Sequence, residues 1–227
     1  MKDILNYEAY FFDFDGLLAN TEKHHFKAYE ILLKRRGFSL SWDFSTYVSF
    51  AHQKTDFFAR EIYNLFPSLE MKEPDWMKLR EEKQAIYLDL LYHTKIDLMP
   101  GVFSFLDLLN KKEKKLYVVT NAPKNQIDAV MAHQPLLRII PTWVTRECYT
   151  HAKPSPDGYL KGCELHSKHS FKGVGFEDSI KGLQALENSP LDAILIYPSY
   201  YPQDKIQPRA TTRRFSSFEE LMHYYHL

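Results

Sequence analysis

The stretch Tyr10-Phe11-Phe12-Asp13-Phe14-Asp15-Gly16-Leu17-Leu18-Ala19-Asn20-Thr21-Glu22 organises the chain. Its aromatic run, Tyr10 to Phe14, suits a buried strand and carries two carboxylates one residue apart. Residues i and i+2 of an extended segment point to the same side, so Asp13 and Asp15 can converge on one ligand. At the C-terminal end of a strand they stand where open parallel α/β sheets bind ligands. Like charges this close are costly unless a cation or a shared proton relieves them. Two aspartates in a strand-end loop are the plainer reading, and residues elsewhere decide between the two.

The whole chain sets the frame. Its 227 residues are enough for one large domain, or a core with a smaller companion. Basic and acidic side chains balance at 29 each, so bulk charge argues against a nucleic-acid partner. Aromatics make up 15% and predict a core of large rings. Cys148 and Cys163 are too few for a disulfide framework or a thiolate metal site, which points to reduced thiols and a cytoplasmic protein. The first residues lack the apolar stretch of a signal peptide. No apolar run approaches the ~20 residues that span a bilayer, so no membrane partner is expected.

Downstream, Thr21 is placed to cap a helix from Glu22 to about Arg36, ended by Gly37. The pattern stays helical to about Lys95. Phe57, Phe58, Ile62, Leu65 and Phe66 form one stripe, stopped by Pro67. Trp76, Leu79, Lys83, Ile86 and Leu90 form another. Residues 20–95 therefore read as a helical domain inserted after the first strand, with 1–19 and 96–227 forming the core. From Met99 the regime changes. Strands at 116–120, 142–145, 173–176 and 193–197 alternate with helices, which predicts an α/β fold with a doubly wound parallel sheet. The tail, with Arg209, Arg213 and Arg214, reads as a solvated connector.

Four groups follow predicted strands: Asp13 with Asp15, Thr120 with Asn121, Lys153, and Glu177 with Asp178. Taken singly, each has a plain explanation: a surface lysine, a strand-end turn, acids charging a helix start. Taken together, in phase with the strands, they gather along one sheet edge. Carboxylate oxygens there suit Mg²⁺. Lys153, Thr120, Asn121 and turn amides suit phosphoryl oxygens. A nucleophilic carboxylate, a second carboxylate to shuttle a proton and a metal are what phosphoryl transfer needs.

These segments resemble the haloacid-dehalogenase-superfamily phosphatases, in the branch with a helical cap and a Rossmann-like core. Asp13-Phe14-Asp15-Gly16 is similar to the first motif of that family, and Val119-Thr120-Asn121 to the second. Lys153-Pro154-Ser155-Pro156-Asp157 is similar to the third, and Gly175-Phe176-Glu177-Asp178-Ser179-Ile180-Lys181-Gly182 to the fourth. The resemblance covers nearly the whole chain. It implies that Asp13 attacks phosphorus and that Asp15 is general acid, then base. It implies Mg²⁺ held by Asp13, the Asp15 carbonyl and Asp178, with Glu177 assisting directly or through water. Thr120 and Asn121 would bind phosphoryl oxygens, and Lys153 would neutralise charge. Asp15 also sets the chain apart from the dehalogenase and phosphonate-hydrolase branches, which lack an aspartate there.

Within the superfamily the resemblance is to the β-phosphoglucomutase-like and phosphoglycolate-phosphatase-like members. His25 would help position the general acid as the cap closes over the substrate, with Asn20-Thr21 as the hinge. The mutase-like members carry a glycine and a nearby arginine on the second cap segment. Here Ser49-Phe50-Ala51-His52-Gln53-Lys54-Thr55 has neither, leaving Lys54 or His52 to meet a second anion. The leading expectation is a Mg²⁺-dependent phosphatase of a small phosphorylated metabolite, acting as a monomer or homodimer. A hexose-phosphate mutase is the first rival. A catalytically silent scaffold that binds a partner is the second, and the retained Asp13, Asp15, Lys153 and Asp178 argue against it.

Overall fold

The computed structural model describes residues 3–51, 53, 55–166, 170–202 and 206–227. His52 and Lys54 lie outside the described residues.

The first strand, β1, spans Ala9–Phe12. All four of its residues are buried, as expected for a strand covered on both faces. Alternation sorts the side chains. Tyr10 and Phe12 face one layer, where Phe12 stacks on Phe176 at 4.9 Å. Ala9 and Phe11 face the other, where Phe11 stacks on Tyr117 at 4.6 Å. The strands β2 (Lys115–Val119), β3 (Thr142–Val144), β4 (Gly173–Glu177), β5 (Asp192–Ile196) and β6 (Arg213–Phe215) complete a sheet of order β3-β2-β1-β4-β5-β6. Every pairing is parallel. The order reverses between β1 and β4, and a cleft at the C-terminal strand ends is expected there.

The sixth strand corrects the reading of the tail as a solvated connector. Arg213 and Arg214 belong to β6, where their guanidinium groups lie over the Tyr225 and Tyr197 rings. Arg209 bonds the Glu187 backbone carbonyl and the Asn188 side chain.

Five helices follow β1: α1 (Glu22–Arg35), α2 (Phe44–Ala51), α3 (Thr55–Leu65), α4 (Pro67–Lys72) and α5 (Trp76–His93). Pro67 ends one helix and opens the next, since proline suits a first turn that has no amide bond to make. Thr21 does not cap α1 with its side chain; its hydroxyl turns to Asp15 instead. The helix α1 packs on α5, and α5 also touches α7 (Lys124–His133) of the sheet layers. The chain enters and leaves this helical block side by side. Asn20 N–H donates to the Asp97 carbonyl (2.8 Å), Met99 N–H donates to Leu18 (3.0 Å), and Ala19 pairs antiparallel with Leu98. The helices α6 (Val102–Lys111), α8 (Asp157–Glu164), α9 (Ile180–Glu187) and α10 (Phe218–Tyr225) complete the layers around the sheet.

Candidate active site

Asp13 stands one residue beyond β1, its amide bonded to the Phe176 carbonyl of β4 (3.0 Å). The chain then turns sharply: Gly16 N–H donates to Ala19 O, and Leu18 N–H to Phe14 O. Gly16 sits at φ +80°, a left-handed conformation that favours glycine. A Cβ there would also collide with Asp178 Oδ2. The glycine beside the two aspartates thus answers both to backbone and to space.

Lys153 is the hub. Its Nζ donates to Asp13 Oδ1 and Glu177 Oε1, both at 2.5 Å, and to the Val119 carbonyl at 2.8 Å. All three charged residues are buried. Burial alone would lower the Lys153 pKa, but the Asp13 and Glu177 charges outweigh it and hold the ammonium above its ordinary value. Tyr159 of α8 donates to the same Glu177 oxygen at 2.6 Å. The carboxylate of Glu177 fits because residue 182 is glycine; a Cβ there would overlap it. Even so, burial pushes Glu177 up to about 7.

Asp13, Glu177 and Asp178 bring carboxylate oxygens within 4.8 Å of one another. Asp178 Oδ2 is buried and, among the described residues, has no hydrogen-bond partner. Burial, then the Asp13 and Glu177 charges, raise its pKa well above the carboxylate range. An orphaned carboxylate oxygen facing two others fits a hard divalent cation with oxygen ligands. The Asp15 side chain is outside this cluster.

Asp15 faces the helical block. Its Oδ1 accepts from Thr21 Oγ1 at 2.7 Å and from the Tyr87 hydroxyl of α5 at 3.3 Å. Burial pushes Asp15 up to about 7, with Asp13 and Glu22 adding to it and the Thr21 and Tyr87 hydrogen bonds opposing it. His25 stacks on the Tyr87 ring at 3.7 Å and accepts from Lys83 Nζ at 2.5 Å. Burial lowers Lys83 to about 7.

Asp13, Asp15, Thr120, Asn121, Lys153 and Asp178 line one cavity of about 150 Å³. Thr120 Oγ1 accepts from Ala122 N–H at 2.9 Å, which leaves its own O–H as a donor. Asn121 Oδ1 accepts from the Tyr149 hydroxyl and Lys153 N–H. With the oxygen so occupied, its NH₂ is the group that can donate. His25 lines a second cavity of about 210 Å³ among the helices and is not brought to the first. Tyr149 and Tyr159, which buttress Asn121 and Glu177, and Tyr87, which reaches Asp15, escaped the sequence reading. One signal was present: Lys83 interrupts an otherwise apolar stripe on α5.

A family model described as haloacid dehalogenase-like hydrolase matches residues 10–196. The chain is 26% identical over 190 residues to the phosphorylated carbohydrates phosphatase of Thermotoga maritima, covering 82% of this chain and 83% of that one. It is 25% identical to the fructose-1-phosphate phosphatase YqaB of Escherichia coli, covering 83% and 95%. The crystal structure of CbbY from Rhodobacter sphaeroides in complex with phosphate shares the fold, with a TM-score of 0.72 at 23% identity over 95% and 96% of the two chains.

Proposed function

Because the chain belongs to the haloacid dehalogenase-like hydrolases, we propose that it is a Mg²⁺-dependent phosphatase that hydrolyses the monoester of a small phosphorylated metabolite. The observation that carries this reading is the Lys153 hub, which sets a buried carboxylate beside an ammonium and an oxygen-rich cluster with an unpartnered oxygen. The phosphatase names of the two relatives support it.

A carboxylate oxygen of Asp13 attacks phosphorus, and the bond from phosphorus to the leaving oxygen breaks. Asp15 donates its proton to that oxygen. A pKa near 7 lets it serve as an acid and then as a base. Water next attacks the aspartyl phosphate while Asp15 takes its proton, which releases phosphate and restores Asp13. Thr120, the Asn121 amide and Lys153 hold the equatorial oxygens. Asp13, Asp178 and the Asp15 carbonyl are the residues that would hold Mg²⁺, with Glu177 behind them. The cation would offset the charge that develops on the transferred group.

The helical block acts as a cap. Tyr87 bonds Asp15 from above, so the proton shuttle is complete only when the cap is down. His25 serves here as a positioning residue, through its stack on Tyr87. The test is phosphate release with Mg²⁺ from an aryl phosphate and a metabolite panel, by wild type and Asp13→Asn. Release that the substitution reduces at least 10³-fold supports the reading. Equal, metal-independent release overturns it. A mutase would instead isomerise a sugar monophosphate, and only with a bisphosphate primer.

A further inference from the structure

The phosphoryl cavity and the second cavity are continuous in their walls: Glu22, Ala51 and Lys181 line both. The second cavity therefore adjoins the first and offers room for the part of a substrate that leaves with the ester oxygen. Its walls carry charge in an unusual balance. Arg80 comes from α5 of the cap and Lys181 from the first turn of α9 in the core, while Lys83 is pinned to His25. Glu22 is the one carboxylate lining it among the described residues. Among the described residues, Arg80 and Lys181 have no hydrogen-bond or ion-pair partner. Even with Lys83 neutral, two cations face one carboxylate. Burial and the nearby Arg80 charge hold Lys181 below the ordinary lysine value, with Glu22 opposing them. A positive cavity of this kind is costly until an anion enters it.

We infer that Arg80 and Lys181 form a split subsite for a second acidic group, a carboxylate or a second phosphate, on the leaving part of the substrate. This rests on the phosphatase reading for the reaction, not for the binding. The planar guanidinium suits two-point capture of either oxyanion. Tyr29 and Trp76, near parallel with centroids 6.3 Å apart, wall the same cavity and would cover the carbon skeleton. One cation is on the cap and the other on the core, so a bound acidic group bridges the two halves. A neutral leaving group fills the space without drawing them together.

Residues 49–55 hold no arginine, and the sequence left Lys54 or His52, both outside the described residues, to meet a second anion. The structure supplies the arginine from α5, some thirty residues later, and its counterpart from the segment after β4.

Matched esters test this. Phosphoglycolate against hydroxyethyl phosphate probes a carboxylate, and ethylene glycol bisphosphate against hydroxyethyl phosphate probes a second phosphate. The ratio of kcat/KM for the acidic ester over the neutral one is expected to be about tenfold or more in the wild type, and to fall about tenfold in Arg80→Met and in Lys181→Met. Arg80→Lys should retain part of it. Which acidic ester shows the larger ratio identifies the group. A wild-type ratio near one for both pairs, or a ratio that neither substitution moves, overturns the subsite. Calorimetric binding of the same esters to Asp13→Asn, with and without Arg80→Met, needs no turnover. If the wild type releases phosphate neither from these esters nor from the aryl phosphate and metabolite panel, while that binding still favours the acidic esters through Arg80, the phosphatase reading fails and the subsite stands. Equal binding of acidic and neutral esters overturns the subsite whatever the turnover.

Discussion

Lys83 shows how a single residue can set opposing demands. Among its neighbours are the rings of Tyr29 and Tyr87, and its Nζ bonds His25 Nδ1 and, at 3.3 Å, Gln84 Oε1. Burial lowers its pKa from the ordinary 10.5 to about 7. The unfolded chain therefore binds more protons than the folded one between about pH 7 and 10.5, and this residue's contribution to stability rises with pH across that window. Below pH 7 both states carry the proton and the penalty is full. Lys83→Met removes the buried charge and should be several kcal/mol more stable than wild type near pH 7, with the gap narrowing towards pH 10. Urea unfolding midpoints of the two proteins at several pH values check it; a constant gap would contradict it. Gly16 is the opposite case, where nothing can be added. Gly16→Ala must hold alanine at φ +80°, which costs about 1 kcal/mol, and its methyl displaces Asp178. Mg²⁺-dependent phosphate release should fall at least 100-fold, while thermal melting shows a folded protein.

At the scale of elements, β1 holds the molecule together by what lies on its two faces. Phe12 is fully buried and touches the rings of Phe105, Phe176 and Phe218. Phe12→Ala should cost about 3–5 kcal/mol, read from denaturant midpoints with an unchanged slope. Strands of this kind were readable in the sequence because aromatic and β-branched runs are local. The strand-end groups were readable because each motif sits on the loop that follows its strand. The sixth strand was not. Arg213-Arg214-Phe215 lies at the sheet edge with a single neighbour, so only Phe215 is buried and no apolar run exists to find. The short helices α2 and α4 also escaped, each too brief to show a full period. The second cavity was unreadable for another reason. Its walls come from α1, α2, α3, α5 and the start of α9, and only helix packing brings Arg80 and Lys181 near one another. Thr21 failed as a cap because a buried carboxylate competes for its hydroxyl, and that partner is visible only once the Phe14–Ala19 turn has formed.

For the molecule as a whole, the two crossings of the chain between the helical block and the sheet layers, Leu18–Asn20 and Asp97–Met99, run side by side as an antiparallel pair. Asn20→Pro deletes the N–H donated to Asp97 and restricts Ala19 before it. Folding should survive with a loss of about 1–3 kcal/mol. The sharper effect should be on kcat, since Tyr87 and Asp15 sit on opposite sides of that pairing. Hydrogen exchange of α5 with and without phosphate and Mg²⁺ offers a second measure: ligand should protect α5 in the wild type, and less so in the proline variant. The same pairing has a consequence for how such proteins diversify. The ends of the inserted segment meet, so β1 and α6 are presented with identical endpoints however many residues lie between them. An insert of another length or sequence can close on the same two ends without shifting β1 or the two aspartates that follow it.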